Sequence, residues 1–305
     1  MKTPPSKLTP LIIPSSFDRY HQYLKVINHI FKTLVWFFIF LSLAIVIGII
    51  IFIFVYGVNG FGSIFSSNWD PSTNHFGILP FLIGTITTTI IAVLVALPLS
   101  IGFSLFIYDY CSKPIKTILF SIIQFLSGIP SIVFGLLGLT ILVPIFNLSL
   151  FTAGLVLAIM ITPIISTFII ISLSAIPQVY KDSAYALGAS KIEVNYKIVF
   201  LMIKPGIYSG FLMGIGRAVG ETMAVSMVIG GAVGMPNWDK FWSQFLGGSG
   251  STITNKIFND ILEALGQHKT VLYTFAFILI LVVGILNFSV IFIQKKSLKF
   301  SHQHH

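Results

Sequence analysis

The sequence of 305 residues contains very little charge, because only 9% of its residues are Asp, Glu, Lys or Arg. Soluble domains typically carry about 25% charged residues, and 55% of this chain is hydrophobic. These values exclude an ordinary soluble protein and indicate an integral membrane protein. The single cysteine, Cys111, excludes an internal disulfide and a metal site built from several cysteines.

The motifs of common catalytic sites are also absent. The sequence has no G-x-x-x-x-G-K-[ST] phosphate loop, so we do not expect the chain itself to hydrolyse a nucleotide. It has no H-E-x-x-H motif and no G-x-S-x-G elbow, which argues against a metalloprotease and a serine hydrolase. We therefore predict a transport protein rather than an enzyme, with no metal and no cofactor bound by this chain.

Long apolar runs are abundant and predict six transmembrane helices, since about 20 apolar residues cross a bilayer. Pro80, Pro98, Pro130 and Pro163 fall within the second to fourth spans, where they predict kinks or breaks. The predicted spans are residues 33–57, 77–108, 116–145, 150–176, 204–231 and 270–294.

Acidic residues are scarce, with nine against 18 basic ones, and the distribution of the basic residues predicts the topology. With six spans, fourteen of the 18 fall on one side, in the two tails and the even-numbered turns. The positive-inside rule then places both termini in the cytoplasm. It also explains the excess of positive charge without a nucleic-acid partner.

The predicted spans divide the chain into four parts and make it a multi-pass membrane protein in contact with lipid. Residues 1–32 form a cytoplasmic N-terminal tail, and 33–76 form the first span with an extracytoplasmic loop. Residues 77–294 form the transmembrane core, and 295–305 form a cytoplasmic C-terminal tail.

The segment GRAVGETMAV places Arg217 and Glu221 inside the fifth apolar run. A charge near the bilayer centre costs roughly 2.5–3.5 kcal/mol on insertion scales. Residues four apart share one face of a helix, so the two side chains are predicted to pair. The pair either stabilises the helix bundle or lines a pathway in which Arg217 releases Glu221 to meet a passing oxyanion, with Thr222 adding a hydroxyl contact.

Small residues near these charges predict close helix packing and one further candidate site. A break at Gly128-Ile129-Pro130-Ser131 is either a simple kink or a place where Ser131 and main-chain N–H groups face an anion. Glycines at spacings of four let helices approach closely, either within this chain or against a partner. These glycines are Gly206, Gly210, Gly214, Gly216 and Gly220.

The longest inner loop, residues 175–207, contains a short alanine-rich helical segment that stops near Gly188. This segment resembles the EAA loop of ABC importer permeases. Asp182-Ser183-Ala184 corresponds to E-A-A, and Gly188 and Ile198 fall on the glycine and isoleucine of the pattern, although its following proline is absent. The resemblance implies that Asp182, Ala184, Leu187 and Gly188 form the loop that couples to an ATPase.

The segments GRAVGETMAVSMVIGG and GIPSIVFGLLG closely resemble permease subunits of phosphate importers, of the PstC type. The resemblance implies an all-α membrane protein with the six-helix MetI-like fold of ABC importer permeases. It also implies a sister permease of the PstA type, a dimer of ATP-binding subunits that use the ATP, and an extracytoplasmic phosphate-binding protein. The location that it implies is the bacterial inner membrane.

Three alternatives stay open at this point. The first is a permease for another oxyanion, sulfate or molybdate. The second is an ion-driven secondary transporter, which would need no motor subunit and would make the EAA-like loop a coincidence. The third is a membrane-embedded scaffold or signalling protein, for which no residue of the sequence argues.

Overall fold

A computed structural model of the chain describes residues 15–62, 64–235 and 247–302, and most of these residues are helical. Two-residue strands β1 (Trp69–Asp70) and β2 (His75–Phe76) form one antiparallel pair, with Trp69 opposite Phe76. The helices are α1 (Ser15–Gly57), α2 (Leu79–Tyr110), α3 (Lys113–Ser127), α4 (Ser131–Leu137), α5 (Val143–Phe146), α6 (Leu150–Ser174), α7 (Gln178–Ala186), α8 (Lys191–Val194), α9 (Phe200–Gly220), α10 (Met223–Ser226), α11 (Ile253–Asp260) and α12 (Gly266–His302).

The chain divides into two compact units, residues 1–52 and 53–305. The described part of the first unit is the N-terminal portion of α1, whose described side chains are exposed. The apolar stretch Tyr23–Gly60, which comprises most of α1 and the turn after it, is long enough to cross a membrane.

The all-α membrane fold predicted from the sequence is confirmed. Within the described ranges, five helices are long and apolar enough to span a membrane. A sixth span results if α3 and the segment Ser131–Phe146 are counted together as one broken helix, bent by 94°. The predicted third span, 116–145, is therefore not a straight helix. The cytoplasmic location of both termini stays a prediction.

The prolines behave differently from one another. Pro130 lies at the bend between α3 and α4. Pro80 is the second residue of α2, in the first turn, where its missing N–H is not needed by the helix. Pro98 and Pro163 lie inside α2 and α6, which continue through them as helices. Only one of the four predicted interruptions thus becomes a break.

Helix α6 is the centre of the second unit, because α2 and α9 both pack along it. Most of its residues are buried, including Leu157, Ile161 and Ile165. The contact with α2 also contains hydrogen bonds from small side chains: Ser100 Oγ donates to the Thr162 carbonyl at 3.0 Å. Close packing plus internal hydrogen bonding suits helices that have no water to satisfy their polar groups.

A second apolar cluster surrounds Phe76, Phe81 and Phe275 at the end of the unit that carries the strands and α11. Beside it, Asp260 accepts from Lys256 Nζ at 2.8 Å and lies 3.1 Å from His268 Nε2. This cluster joins the segment after α1 to α11 and to the start of α12.

The predicted tails, 1–32 and 295–305, lie partly outside the described residues. Where they are described, they continue α1 and α12 as helix.

Candidate translocation site

Arg217 lies three residues before the end of α9 and is half-buried. Its Nη1 donates to the Ser127 carbonyl at 3.4 Å, a long hydrogen bond to the last residue of α3. Among the residues that the structure describes, no carboxylate lies within 4.0 Å of its guanidinium. The described part of the chain therefore supplies Arg217 with one weak acceptor and leaves most of its donors available.

The prediction that Arg217 and Glu221 share one helix and pair is wrong, because α9 ends at Gly220. Glu221 has an extended backbone (φ −75°, ψ 128°), and its carboxylate accepts from the Ala224 N–H of α10 at 3.3 Å. Its carbonyl, no longer part of a helix, accepts from Thr254 Oγ1 at 2.9 Å. The fifth span predicted at 204–231 consequently starts earlier and stops earlier, since the continuous helical segment is Lys191–Gly220.

The bend at Gly128–Pro130 lies beside Arg217, because Ser127 is the last residue before it. Ser131, the first residue of α4, is half-buried, as is Thr222 just after α9. Helix α4 packs closely on α10: a Cβ on Gly135 would come within 2.9 Å of the Ala224 Cα. Arg217, the bend and the segment with Glu221 thus belong to one region, and the roles of Ser131 and Thr222 stay predictions.

The glycine stripe of α9 lies on α6. A Cβ on Gly206 would come within 2.6 Å of the Ser172 Cβ, and one on Gly210 within 3.1 Å of the Ile165 backbone. Gly214 faces the Ile165 side chain at 3.1 Å. Gly216 only approaches Asn287, at 3.7 Å, and Gly220 has open space. The last two glycines therefore make no close helix contact among the described residues.

The predicted coupling segment is the short helix α7 and the turn after it. Ala184 is buried, and Asp182 is exposed and accepts from Gln178 Nε2 at 3.2 Å. Leu187 is 89% exposed, and Gly188 has a φ of +83°. This turn presents an apolar side chain at a surface, held there by a backbone conformation that favours glycine.

Helix α8 begins directly after this turn with a capping box. The Ser190 N–H and hydroxyl donate to the Glu193 carboxylate, and Ser190 Oγ accepts from the Glu193 N–H. The cap fixes where the α7–α8 turn ends.

One group was not predicted from the sequence, the buried ion pair between Asp109 of α2 and Lys181 of α7. Lys181 Nζ lies 3.2 Å from Asp109 Oδ1, and the two side chains are 7% and 8% exposed. The available signal was that Asp109 is the only acidic residue between Asp70 and Asp182. A single carboxylate at the end of a span, near a loop rich in lysine, predicts a partner there.

These observations define a multi-pass membrane protein in which a half-buried arginine lies beside a broken helix. Residues 100–297 match the family of binding-protein-dependent transport system inner membrane components. Since this match covers more than half of the sequence, the chain belongs to that family.

Named relatives agree with this assignment. The phosphate transport system permease protein PstC of Xylella fastidiosa (strain Temecula1) is 34% identical over 252 residues, 74% of this chain and 76% of the relative. The probable phosphate transport system permease protein PstC of Methanocaldococcus jannaschii is 33% identical over 79% of this chain and 82% of its own length.

A solved structure supports the fold. A chain of the MetNI methionine ABC transporter, in an inward-facing conformation, aligns with a TM-score of 0.53 at 18% identity. The alignment covers 72% of this chain and 94% of that chain. This likeness confirms the MetI-like permease fold.

Proposed function

We propose that this chain is the permease subunit of an ATP-driven importer of inorganic phosphate. It forms the translocation pathway with a sister permease of the PstA type. A dimer of ATP-binding subunits uses the ATP, and an extracytoplasmic phosphate-binding protein delivers the substrate. The observation that carries the proposal concerns Arg217, which is half-buried beside the bend in the third span. No carboxylate of the described residues forms an ion pair with it.

The charge of Arg217 needs a partner that the described part of this chain does not supply. A charge inside an apolar span is costly to insert, and one 3.4 Å bond to a carbonyl offsets little of that cost. A guanidinium binds the oxygens of a phosphate through two parallel N–H donors. The available donors of Arg217 therefore suit a transient oxyanion.

Glu221 has a different role from the one that its sequence spacing suggests. Its carboxylate is held by the Ala224 N–H, so Arg217 does not have to release it before meeting an anion. The negative charge nearby still opposes tight anion binding. Weak binding favours conduction, since a deep trap would prevent release.

Coupling to ATP is proposed to occur through α7 and its following turn, on the cytoplasmic side. The exposed Leu187 gives a motor subunit an apolar contact, and the left-handed Gly188 fixes the direction of that side chain. Movement of this turn would rock the spans and alternate the access of the pathway.

The test is uptake of labelled phosphate by phosphate-starved bacterial cells that lack this subunit, with and without the chain restored. We expect the chain to restore uptake, and excess unlabelled sulfate not to compete. Competition by sulfate or molybdate would assign a different oxyanion. Restored uptake without a co-purifying ATP-binding subunit would indicate a secondary transporter and would contradict the proposal.

Replacing Gly188 with leucine is expected to uncouple ATP hydrolysis from uptake. A φ of +83° strains a side chain with a Cβ, by about 1–2 kcal/mol for a left-handed residue. The added side chain also points into open space beside Leu187, where the motor subunit is proposed to dock. The measurement is phosphate transported per ATP hydrolysed by the reconstituted complex.

Gly188→Asn is the matched control, because asparagine tolerates the left-handed conformation. We expect it to retain most of the coupling. Unchanged coupling in Gly188→Leu would contradict the assignment of this turn as the docking element.

A further inference from the structure

The buried ion pair of Asp109 and Lys181 connects two elements that the sequence separates by 72 residues. Asp109 is the penultimate residue of α2, and Lys181 immediately precedes the Asp182 of the coupling segment in α7. Both side chains are more than nine-tenths buried. The pair therefore joins the proposed motor-docking helix directly to the end of a transmembrane helix.

Other lysines hold the same end of α2. Lys191 Nζ donates to the Asp109 carbonyl at 2.7 Å and lies 3.9 Å from the centre of the Tyr110 ring. Lys116 and Lys181 both lie over the Tyr108 ring, at 3.8 and 4.4 Å. Lysine side chains from α3, α7 and α8 thus contact residues 108–110 through hydrogen bonds, an ion pair and cation–π contacts.

Stability alone does not account for this pair. A buried ion pair often contributes no more than well-packed apolar residues of similar volume, because both charges must lose their water. Asp109 Oδ2 is buried and makes no hydrogen bond with any described residue, so the carboxylate is only partly satisfied. What such a pair provides is a fixed, directional connection that apolar residues do not give.

The connection leads into the core of the bundle. Helix α2 packs along α6, to which Ser100 and Ser104 also donate hydrogen bonds. Helix α6 carries the glycine stripe contact with α9, the helix of Arg217. A displacement of α7 therefore has a continuous packed route to the proposed pathway.

We propose that Asp109 and Lys181 are a positioning pair, which transmits the movement of α7 to α2 during transport. This inference rests on the proposed function of the chain as an ATP-driven permease. It predicts that breaking the pair separates ATP hydrolysis from transport and leaves the assembled complex in place.

The experiment uses the complete complex, with its sister permease, ATP-binding subunits and binding protein, reconstituted into liposomes. Lys181→Met, Asp109→Asn and the double variant are compared with the wild type. We expect phosphate transported per ATP to fall at least about tenfold in each, within the range that coupling between contacting residues gives. The rate of ATP hydrolysis should stay near that of the wild type.

Lys197→Met is the matched control, because it removes the lysine of an exposed ion pair with Glu193 in the helical segment that follows α7. We expect it to transport phosphate normally. The reversed pair, Asp109→Lys with Lys181→Asp, should regain part of the coupling that the single variants lose, which a purely local packing defect would not show.

The double variant decides the result where a single variant fails to assemble, because it leaves no uncompensated buried charge. Assembly with poor coupling would support the proposal. Assembly with wild-type coupling, or failure to assemble at all, would overturn it in favour of a structural role. Failure of the wild-type complex to transport phosphate would instead count against the proposed function.

Discussion

Replacing Arg217 with glutamine is expected to abolish phosphate uptake while the complex stays assembled. Glutamine keeps a hydrogen-bond donor for the Ser127 carbonyl, but it lacks the positive charge and the two parallel N–H donors that bind an oxyanion in a bidentate manner. Hydrogen bonds to charged groups contribute roughly 1.5–3 kcal/mol each, so losing two of them reduces the rate about 100-fold or more. The measurement is initial phosphate uptake in cells, normalised to the amount of assembled complex.

Two further variants make this prediction specific. Lys204→Gln removes the other positive charge of α9, which is exposed, and should leave uptake near normal. Arg217→Lys keeps the charge without the planar fork and should retain a small part of the activity. Normal uptake in Arg217→Gln would refute the pathway role. Loss of the assembled complex would instead indicate that Arg217 mainly stabilises the bundle.

Hydropathy and composition were sufficient to predict a helical multi-pass protein, because burial in lipid demands long apolar helices. They were not sufficient to place the breaks within those helices. Pro130 breaks a span, whereas Pro98 and Pro163 lie inside continuous helices that neighbouring segments support. Which proline interrupts a helix depends on packing that a single-sequence pattern does not contain.

The candidate site shows the same limit. Arg217 could be singled out from the sequence, because a charge in an apolar run is rare. The position of Glu221 could not, since α9 ends before it and its carbonyl accepts instead from Thr254, 33 residues further along the chain. Rules based on residue spacing assume that the helix continues. Here the helix ends, and the Glu221 carbonyl makes a tertiary hydrogen bond instead of a helical one.

The identity of the partner in a long-range charge pair could not be predicted either. In the sequence, Lys181 served only as one of the basic loop residues that predict the topology. That rule concerns the total charge of a loop and does not predict a contact of any single lysine. Its contact with Asp109 requires α7 to fold back onto the end of α2. Sequence separation hides such a pair, although an isolated carboxylate at the end of a span signals that a partner exists.

Replacing Gly210 with leucine is expected to prevent correct packing of α9 on α6 and to remove most folded protein from the membrane. A Cβ at this position would already lie 3.1 Å from the Cα and carbonyl oxygen of Ile165. Overpacking typically costs about 1–3 kcal/mol, and backbone atoms cannot rotate away as a side chain can. We therefore expect a cost at or above the upper end of that range.

The measurement is the amount of monodisperse protein extracted in detergent, together with its thermal unfolding. Gly102→Leu is the matched control, because Gly102 also lies in a transmembrane helix and a Cβ added to it would meet no described atom within 4 Å. Its yield and unfolding temperature should stay close to those of the wild type. Equal behaviour of the two variants would show that the α6–α9 contact tolerates a large side chain. Close packing of α9 on α6 could then no longer be taken to transmit the movement of α7 to Arg217.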